Sequence, residues 1–468
     1  MKRRRFFRSM LAVGLAVALL SSMLGVWPAR SASRHLGYGF NVAPWDTTRL
    51  SDMGFNWIKV FEAPQTPLPQ YVLLRVEVTA ATTLTDLQND IAAKLAFSSN
   101  IQAWEIGNEP NIDASYGWGA PPDAAAYKTM LCAAYAQIKA ADPYAIVVSA
   151  GLAPTGRIAG NYGGHPGHNG SAQDDRQYLI ELLDNGGGAC LDAVGYHPYG
   201  YSADYDAAPD VASADPTQNC ANGFCFRSAE KIYQIMQQQG LGGKRLWATE
   251  FGWITRPPDY CLSDPSWFGR EYQIVTDEKQ ASNLAGAFQY ADVHWPWMGA
   301  MFVFNLNFDR DPQITNLCEQ MRFYSVQGRP AETALTDMAK NPAFLTGRLR
   351  TDVDQLSYLI GVSEQPLTMT GIIGLSNWGW EPAIYTATAT ANTAVVPVIL
   401  NPTGTLTITS QAIDLAITST NRATGVYTGQ VTVNWRADRV ANPTRRNVLV
   451  TLYVVSDVQR VYLPSITR

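Results

Sequence analysis

The sequence predicts an α/β fold, a (β/α)8 or TIM barrel, followed by a smaller all-β sandwich. Between about residues 35 and 345, short apolar runs alternate with longer amphipathic segments, which is the pattern of strands joined by helices. After about residue 346 the helical spacing disappears, and Thr, Val and Ile dominate. The length of 468 residues also exceeds what one hydrophobic core usually organises. We therefore expect one domain over residues 34–345 and a second over residues 346–468.

Eight apolar runs are the predicted barrel strands. Continuous apolar strands joined by helices form a parallel sheet buried on both faces, and eight such units favour a closed barrel over an open sheet. No Gly-x-Gly-x-x-Gly turn follows the first run, which argues against a nucleotide-binding fold. The runs are Gly37–Val42, Trp57–Phe61, Val72–Val78, Ala103–Ile106, Ile146–Ala150, Ala193–Tyr196, Leu246–Thr249 and Ala300–Phe304. Amphipathic spacing predicts helices over Ala124–Ala141, Arg176–Leu183, Ser228–Gln239 and Asp277–Tyr290.

The predicted sandwich rests on short segments with alternating patterning and regular turns. Candidate strands are Thr405–Ser410, Val426–Trp435 and Asn447–Val455, and the segment Asn401–Gly404 is typical of a turn. The stretch Gly425–Val433, with the strand that follows it, resembles Ig-like accessory domains of the BACON type. This resemblance covers only the tail of the chain.

Composition narrows the class of partner. The net charge is −5, which argues against nucleic acid, because a nucleic-acid-binding protein usually carries a basic stripe, and we expect no nucleic-acid partner. Aromatic residues reach 11%, with 13 Trp and 22 Tyr. Such a content suits a groove that stacks on the flat apolar faces of sugar rings, although ordinary core aromatics explain it equally well.

The first 33 residues are predicted to be a secretory signal peptide. Five of the first eight residues are basic, a nearly continuous apolar run follows from Met10 to Val26, and small residues around Ala29–Ser33 form a plausible cleavage region. The alternative is an uncleaved membrane anchor, because the apolar run is near the lower length limit for a span. No later segment predicts a membrane span. We therefore expect a secreted or cell-surface protein.

Export makes disulfide bonds possible. The six cysteines are consistent with three bridges, which allow fifteen connectivities. Cys220 and Cys225 flank a short turn, so a local bridge between them is the simplest expectation. The cysteine spacing fits no common zinc pattern and histidines are few, so we expect no metal and no cofactor. The cysteines are Cys132, Cys190, Cys220, Cys225, Cys261 and Cys318.

Two glutamates follow predicted strands in similar surroundings. The fourth apolar run leads into Gly107-Asn108-Glu109-Pro110, which breaks the sheet and leaves Glu109 at the carboxyl end of the strand. The seventh leads into Glu250 within Leu246–Trp253. Because the carboxyl ends of all barrel strands meet at the rim that carries the active site in enzymes of this fold, we expect the two carboxylates to lie close together. The alternative for either glutamate is a salt-bridged surface residue at the start of a loop.

Cleavage of a glycosidic bond requires two carboxylates on opposite sides of that bond. If they are about 5–5.5 Å apart, one attacks the anomeric carbon and the other protonates the leaving oxygen. The acid must hold its proton near neutral pH, whereas the nucleophile must stay ionised. Asn108 offers an amide that can bond a sugar 2-hydroxyl and strengthen this contact in the transition state.

Asn108-Glu109-Pro110 after strand four, together with Glu250 after strand seven, resembles the clan of retaining (β/α)8 glycoside hydrolases. This clan includes family 5 cellulases, family 39 xylosidases and arabinofuranosidases. The resemblance covers roughly residues 35 to 345. It implies that Glu109 is the acid/base, that Glu250 is the nucleophile and that the substrate is a carbohydrate.

His197 and Tyr199 follow strand six, where the same clan often places a His-x-Tyr pair. Tyr199 can donate a hydrogen bond to the Glu250 carboxylate, which would keep it ionised and aimed. His197 can bond the substrate or tune the acid. The alternative is that both side chains simply pack in a loop.

The sequence departs from this clan at two strands. Many members end strand eight with a Trp that forms the sugar platform. This chain has Phe304 and Asn305 there, and we expect one of them to take that place, with Asn305 as a candidate substrate contact. Strand two often ends in Arg in the cellulase branch, whereas this chain has Lys59 and Glu62, which either substitute for it or are structural. These differences leave the first sugar subsite undefined.

Three further residues are candidates for substrate contact. Trp45 follows strand one and Trp253 follows Glu250, and both can stack on a sugar, although a core position is equally compatible with the sequence. Glu77, near the end of strand three, is a polar candidate. The sequence thus favours a secreted, monomeric, retaining hydrolase of β-glycosidic bonds in oligo- or polysaccharides. The alternatives are a non-catalytic carbohydrate-binding or cell-surface protein and a transglycosylase with the same carboxylates.

Overall fold

The computed structural model describes residues 35–458, apart from residues 67, 143–144, 213–219, 343–348, 378–382, 392–396, 407–410 and 437–443. The predicted signal peptide lies outside the described residues, as does most of the predicted strand Thr405–Ser410. No helix among the described residues is both long and apolar enough to cross a bilayer.

Eight parallel strands close into a barrel, in which each strand pairs with the next and the last pairs with the first. The predicted (β/α)8 barrel is therefore confirmed, and the ends of the predicted strands differ from the observed ones by at most two residues. The strands are β1 Gly37–Asn41, β2 Trp57–Val60, β3 Tyr71–Val76, β4 Ala103–Ile106, β5 Ile146–Ser149, β6 Ala193–Tyr196, β7 Arg245–Phe251 and β8 Met298–Val303.

Helices occupy the connections between these strands. The four predicted helices are present, and three others were missed. The helix Leu84–Leu95 begins with a capping box between Thr83 and Asp86, but it buries only Leu87 and Ile91, so its apolar stripe is too sparse to stand out. The helices are Thr47–Asp52, Leu84–Leu95, Ala124–Ala141, Asp175–Asp184, Ala229–Gln238, Asp277–His294 and Pro330–Asp337.

The barrel interior is apolar at the bottom and polar at the top. Side chains alternate between the two faces of a strand, so residues two apart point the same way. Trp57 and Ala103 belong to a buried apolar cluster, and two residues further along the same strands come Lys59 and Glu105, which are also fully buried. This alternation places charged groups at the carboxyl ends of the strands. The cluster comprises Trp57, Leu73, Ala103, Ile146, Val148, Ala193, Trp247, Ala300 and Phe302.

Two packed sheets follow the barrel, as the sequence predicts. The four-stranded sheet has the order β9-β11-β15-β13 and the five-stranded sheet the order β10-β17-β16-β12-β14. All described pairs are antiparallel except β10 with β17. One buried apolar cluster draws residues from both sheets, including Ile413 and Val433, which shows that the sheets share a core. The strands are β9 Leu349–Thr351, β10 Gln355–Gly361, β11 Leu367–Asn377, β12 Ala383–Ala391, β13 Val398–Ile399, β14 Thr403–Leu406, β15 Gln411–Ser419, β16 Gly425–Arg436 and β17 Thr444–Val455.

All six cysteines pair. The local bridge Cys220–Cys225, which the sequence predicts, is present. The other two bridges are Cys132–Cys190 and Cys261–Cys318, whose partners are 58 and 57 residues apart in sequence. Cys261–Cys318 joins the loop after β7 to the loop after β8, so it ties together two segments of the barrel rim.

Candidate active site

Glu109 and Glu250 lie at the same rim of the barrel, where the sequence predicts them. Glu250 is the second-last residue of strand β7, and its side chain is almost fully buried. After β4, Gly107 has a φ of 84° and Glu109 a φ of 40°, so the chain leaves the strand through two residues in the left-handed region. The Glu109 backbone N–H donates to the Gly151 carbonyl at 3.0 Å, which fixes this turn against the end of β5.

Three groups contact the Glu250 carboxylate. Tyr199 donates its hydroxyl to Oε2 at 2.7 Å, as the sequence predicts, and Lys59 donates from Nζ to Oε1 at 3.1 Å. His197 Nδ1 is 3.7 Å from Oε2. Burial raises the pKa of this carboxyl. The charges of His197, Lys59 and Arg75, together with the Tyr199 hydrogen bond, lower the pKa by more than burial raises it, and the result is a pKa of about 2. Glu250 is therefore an ionised carboxylate at neutral pH.

His197 connects the two glutamates. Its Nδ1 lies 2.8 Å from Glu109 Oε1 and 3.7 Å from Glu250 Oε2. Because the two oxygens share this neighbour, the nearest oxygens of the two carboxyl groups are at most about 6.5 Å apart, the distance at which the range for inverting glycosidases begins. The carboxylates are thus close enough for both to reach one substrate bond.

The position of His197 depends on Gly151. A Cβ built on Gly151 would lie 2.1 Å from His197 Nε2 and 2.5 Å from Thr249 Oγ1, which are closer than real contacts allow. The ring fills the space that any larger residue would need. His197 is fully buried, and its Nε2 has no hydrogen-bond partner among the described residues.

Lys59 and Glu105 form a buried ion pair beneath the glutamates. Lys59 Nζ lies 2.7 Å from Glu105 Oε2, and both side chains are fully buried. Lys59 was a candidate from the sequence, whereas Glu105 was not recognised. Its charged side chain within the apolar run Ala103–Ile106 could have indicated it. Arg75, at the corresponding position of β3, was also missed, and its charge helps to lower the pKa of Glu250.

Aromatic rings surround the carboxylates. Tyr199 packs edge-on against Phe304 at 6.0 Å and against Tyr324 at 5.4 Å, measured between ring centroids. Burial raises the pKa of Tyr199 and of Tyr324, so both phenols stay protonated. Burial and the nearby charge of Glu109 raise the pKa of Tyr116, which belongs to the loop after β4. Phe304, which follows β8, thus stands close to the site.

The side-chain amide of Asn108 binds the loop after β4 through its nitrogen. Its Nδ2 donates to the Tyr116 carbonyl at 2.8 Å, which holds the loop after β4. Its Oδ1 is buried and has no hydrogen-bond partner among the described residues. The amide nitrogen of Asn108 is therefore engaged by the protein, and its contact with a sugar hydroxyl stays a prediction.

Two predicted substrate contacts, Trp253 and Asn305, are buried in the structure. Trp253 is fully buried, and its indole N–H donates to the Ala203 carbonyl at 2.8 Å, so it belongs to the core and offers no face to a sugar. Asn305 is also fully buried. Its Nδ2 donates to the Met321 carbonyl at 2.8 Å, and its Oδ1 accepts from the Ser325 hydroxyl at 2.7 Å, so it closes the loop after β8.

The remaining candidates lie at the rim. Trp45 is 40% exposed, which leaves part of its ring free for stacking. Glu77 forms an exposed ion pair with Arg75. Glu62 is exposed and contacts neither glutamate in any described interaction. Among the described residues, no group of His, Cys, Asp and Glu side chains has the arrangement of a metal site.

Comparisons with known proteins add little to this geometry. No protein-family model matches the chain, and no curated protein matches it. Among solved structures, an endo-beta-1,3-glucanase (GH128, subgroup I) from Amycolatopsis mediterranei in complex with laminaritriose is 12% identical, with a TM-score of 0.40, and the match covers 65% of this chain and 100% of that one.

Two hydrolases from Thermotoga are similar at the same level. An endo-beta-1,4-mannanase from Thermotoga petrophila is 12% identical, with a TM-score of 0.31, over 92% of this chain and 99% of that one. An alpha-L-arabinofuranosidase from Thermotoga maritima is 11% identical, with a TM-score of 0.42, over 83% and 96%. These structural neighbours are glycoside hydrolases, but at such identities and TM-scores they carry no argument about the reaction of this chain.

Proposed function

We propose that the protein is a retaining glycoside hydrolase in which Glu109 is the general acid/base and Glu250 is the nucleophile. The observation that carries the proposal is the shared contact with His197 Nδ1, 2.8 Å from Glu109 and 3.7 Å from Glu250. Retaining enzymes hold their carboxyl groups about 5–5.5 Å apart, whereas inverting enzymes leave room for a water molecule between carboxylate and sugar. The contacts with one imidazole nitrogen keep the nearest carboxylate oxygens within about 6.5 Å of each other, which is compatible with the retaining arrangement.

The first step is attack by Glu250 on the anomeric carbon. Its low pKa of about 2 provides the ionised carboxylate, and the Tyr199 and Lys59 contacts aim its oxygens. As the bond to the leaving oxygen breaks, Glu109 donates its proton to that oxygen. Once Glu109 is ionised, an Nδ1–H of His197 can donate to its Oε1. The products of this step are a glycosyl ester on Glu250 and a free leaving group.

In the second step Glu109 acts as a base, and the bond between Glu250 and the sugar is broken. Glu109 removes a proton from a water molecule, and the water oxygen attacks the anomeric carbon on the face opposite Glu250. The bond to Glu250 breaks, the carboxylate is regenerated between Lys59 and Tyr199, and Glu109 is protonated again. If a sugar hydroxyl replaces the water, the same residues perform transglycosylation.

The site and its surroundings support a carbohydrate substrate. The aromatic rings of Tyr199, Phe304 and Tyr324 around two carboxylates suit a sugar with apolar ring faces and polar edges. We infer β-glycosidic bonds of oligo- or polysaccharides as the target. Three disulfide pairs and the basic-then-apolar N-terminus support an extracellular location.

The decisive experiment is to trap the glycosyl ester. The full chain is incubated with a panel of dinitrophenyl 2-deoxy-2-fluoro-β-glycosides, and the labelled peptide is identified by mass spectrometry. We expect one label, on Glu250, with release of one dinitrophenolate per protein. The surface variant Glu278→Gln is the matched control and should be labelled equally, because Glu278 is exposed on a helix.

Two outcomes would contradict the proposal. Labelling of a residue other than Glu250 would remove its role as nucleophile. If hydrolysis occurs and proton NMR detects the inverted anomer as the first product, the double-displacement mechanism is excluded. A chain that binds oligosaccharides but turns over none of the panel would instead be a non-catalytic binding protein.

A further inference from the structure

The buried charges beneath the two glutamates include one group that the proposed mechanism does not use. Glu105 is fully buried in β4 and lies below the rim, yet it contacts the lysine that binds Glu250. We propose that Glu105 is a positioning residue for the nucleophile and acts through Lys59. This inference deepens the proposed glycosidase function and rests on it.

Lys59 lies between the two strands that carry Glu105 and Glu250. Its Nζ donates hydrogen bonds to Glu250 Oε1 at 3.1 Å and to the Thr249 carbonyl at 3.3 Å. It also forms an ion pair with Glu105 Oε2 at 2.7 Å. Glu105 belongs to β4 and the other two partners to β7, so the ammonium of β2 links the position of Glu250 Oε1 to β4.

The second oxygen of Glu105 reaches toward the acid. Its Oε1 accepts a hydrogen bond from the Gly151 backbone N–H at 3.2 Å. The carbonyl of Gly151 in turn accepts from the Glu109 backbone N–H at 3.0 Å. The Glu105 carboxylate is therefore linked to Glu250 through Lys59 and to the backbone of Glu109 through Gly151. Because only its Oε2 binds Lys59, the two links can be separated by substitution.

Charge balance explains why Glu105 is needed. A buried ammonium is strongly disfavoured unless carboxylates pair with it, and removal of one partner of a buried ion pair leaves the other uncompensated. With Glu105 present, Lys59 divides its charge between two carboxylates. Without that charge, Lys59 would pair with Glu250 only, and it would hold the attacking oxygen toward the barrel floor and away from the sugar.

The test begins with Glu105→Gln, which removes the charge but keeps an acceptor for the Gly151 N–H. We expect kcat, and the rate constant for inactivation by the fluoroglycoside that labels Glu250, to fall about 10²-fold, as for small misplacement of a reacting group. KM should stay nearly constant, because Glu105 does not touch the substrate. The control Glu230→Gln removes a carboxylate that pairs with Arg227 at 2.8 Å on a helix outside the barrel, and it should change neither rate.

The second part compares Lys59→Met with the double variant Lys59→Met/Glu105→Gln. The single variant leaves Glu105 buried and uncompensated, so both kcat and the melting temperature should fall. The double variant no longer has the uncompensated charge of Glu105, whereas Glu250 loses Lys59 in both variants, so its melting temperature should rise above that of Lys59→Met. This comparison also decides the case in which Glu105→Gln alone does not fold.

The outcomes separate this inference from the proposed function. If the fluoroglycoside inactivates Glu105→Gln at the wild-type rate and the variant hydrolyses substrate with the wild-type kcat, Glu105 does not position the nucleophile. The enzyme would still be a glycosidase. If the double variant melts at a lower temperature than Lys59→Met, the two residues do not act as a unit. If wild-type protein is never labelled on Glu250, the proposed function fails before the Glu105 variants are compared.

Discussion

The barrel and the C-terminal sheets bury polar groups in different ways. In the barrel, the carboxyl ends of the strands bury Lys59, Glu105, His197 and Glu250 within one small region. In the described part of the sheets, the buried polar side chains are Thr351, Ser419 and Thr451, and none of them carries a charge. Buried charges do not by themselves stabilise a fold. Their concentration at one rim therefore marks the functional region of the molecule, whereas the sheets follow the ordinary requirements of packing.

The difference arises from one position in each strand. In β15, apolar residues alternate with exposed ones along the strand, and the apolar ones enter the shared core. In β2 and β4 the same alternation directs Trp57 and Ala103 inward, but the next inward positions hold Lys59 and Glu105. The comparison predicts that substitutions at the barrel rim change rates and that substitutions in the sheets change stability.

The largest effect should come from Glu250→Ala. Loss of the proposed nucleophile is expected to lower kcat on aryl β-glycosides by about 10⁴-fold or more. The melting temperature should change little, because Lys59 keeps its pair with Glu105 at 2.7 Å. Glu278→Ala, which removes an exposed carboxylate, is the control for both measurements. A loss of activity smaller than about tenfold would contradict the proposed role.

Leu452→Ala should have the opposite profile. Leu452 is fully buried in the core of the sheets, so its truncation should lower the free energy of unfolding of this domain by about 2–5 kcal/mol in urea titrations. The value of kcat on a small soluble substrate should not change. Leu359→Ala is a matched control, because this leucine is 56% exposed and should affect neither quantity. A parallel fall in kcat would show that the two regions are coupled.

Gly151→Ala should reduce activity by about 10²-fold, because the new Cβ would lie 2.1 Å from His197 Nε2 and displace the ring from both glutamates. Steady-state kinetics on an aryl β-glycoside measures the effect, which should fall mainly on kcat. Gly243→Ala is the control, since no atom lies within 4 Å of a Cβ at that position. Equal rates for the two variants would mean that His197 does not need its present position.

Acid should weaken the barrel before it affects the sheets. Glu250 has its pKa lowered from 4.5 to about 2, so its contribution to stability is fully present above about pH 4.5 and is lost as the pH falls toward about 2. The loss should be about 3 kcal/mol. The test is urea denaturation at several pH values for wild type and Glu250→Gln. The slope between these pH values should be smaller in the variant, and an identical slope would argue against a lowered pKa.

The smallest effect is expected for Trp45→Ala. Trp45 is partly exposed at the rim, and loss of one stacking contact should raise KM for oligosaccharides by about 2–10-fold with little change in kcat. Tyr162→Ala, which removes an exposed ring from a hairpin in the loop after β5, should leave KM unchanged. If Trp45→Ala behaves like this control, Trp45 is not a substrate contact.

The sequence allowed most of the barrel and the two glutamates to be predicted, because both depend on local patterns. Apolar runs reveal strands that are buried on both faces, and Glu109 follows such a run within a motif that breaks the strand. The local bridge Cys220–Cys225 was likewise visible from its spacing. These features need no knowledge of which segments meet in space.

The supporting residues could not be predicted in the same way. Trp253 and Asn305 both stand at strand ends, but one is buried under the loop that contains Ala203 and the other closes a loop through Met321. Whether such a side chain faces the cleft or the protein depends on loops that are distant in sequence. Glu105 was missed for a related reason, since its partner Lys59 comes from another strand and only the closed barrel brings them together.

The left-handed backbone of Glu109 has a consequence for the evolution of this chain. A glutamate with a φ of 40° stores strain of about 1–3 kcal/mol, which a glycine or asparagine at the same position would largely relieve. The wild-type side chain is thus held in place against the conformational preference of its own residue. A library sorted for heat resistance without a sugar in the assay would become enriched in chains that have discarded their acid, and the most durable survivors would be inert.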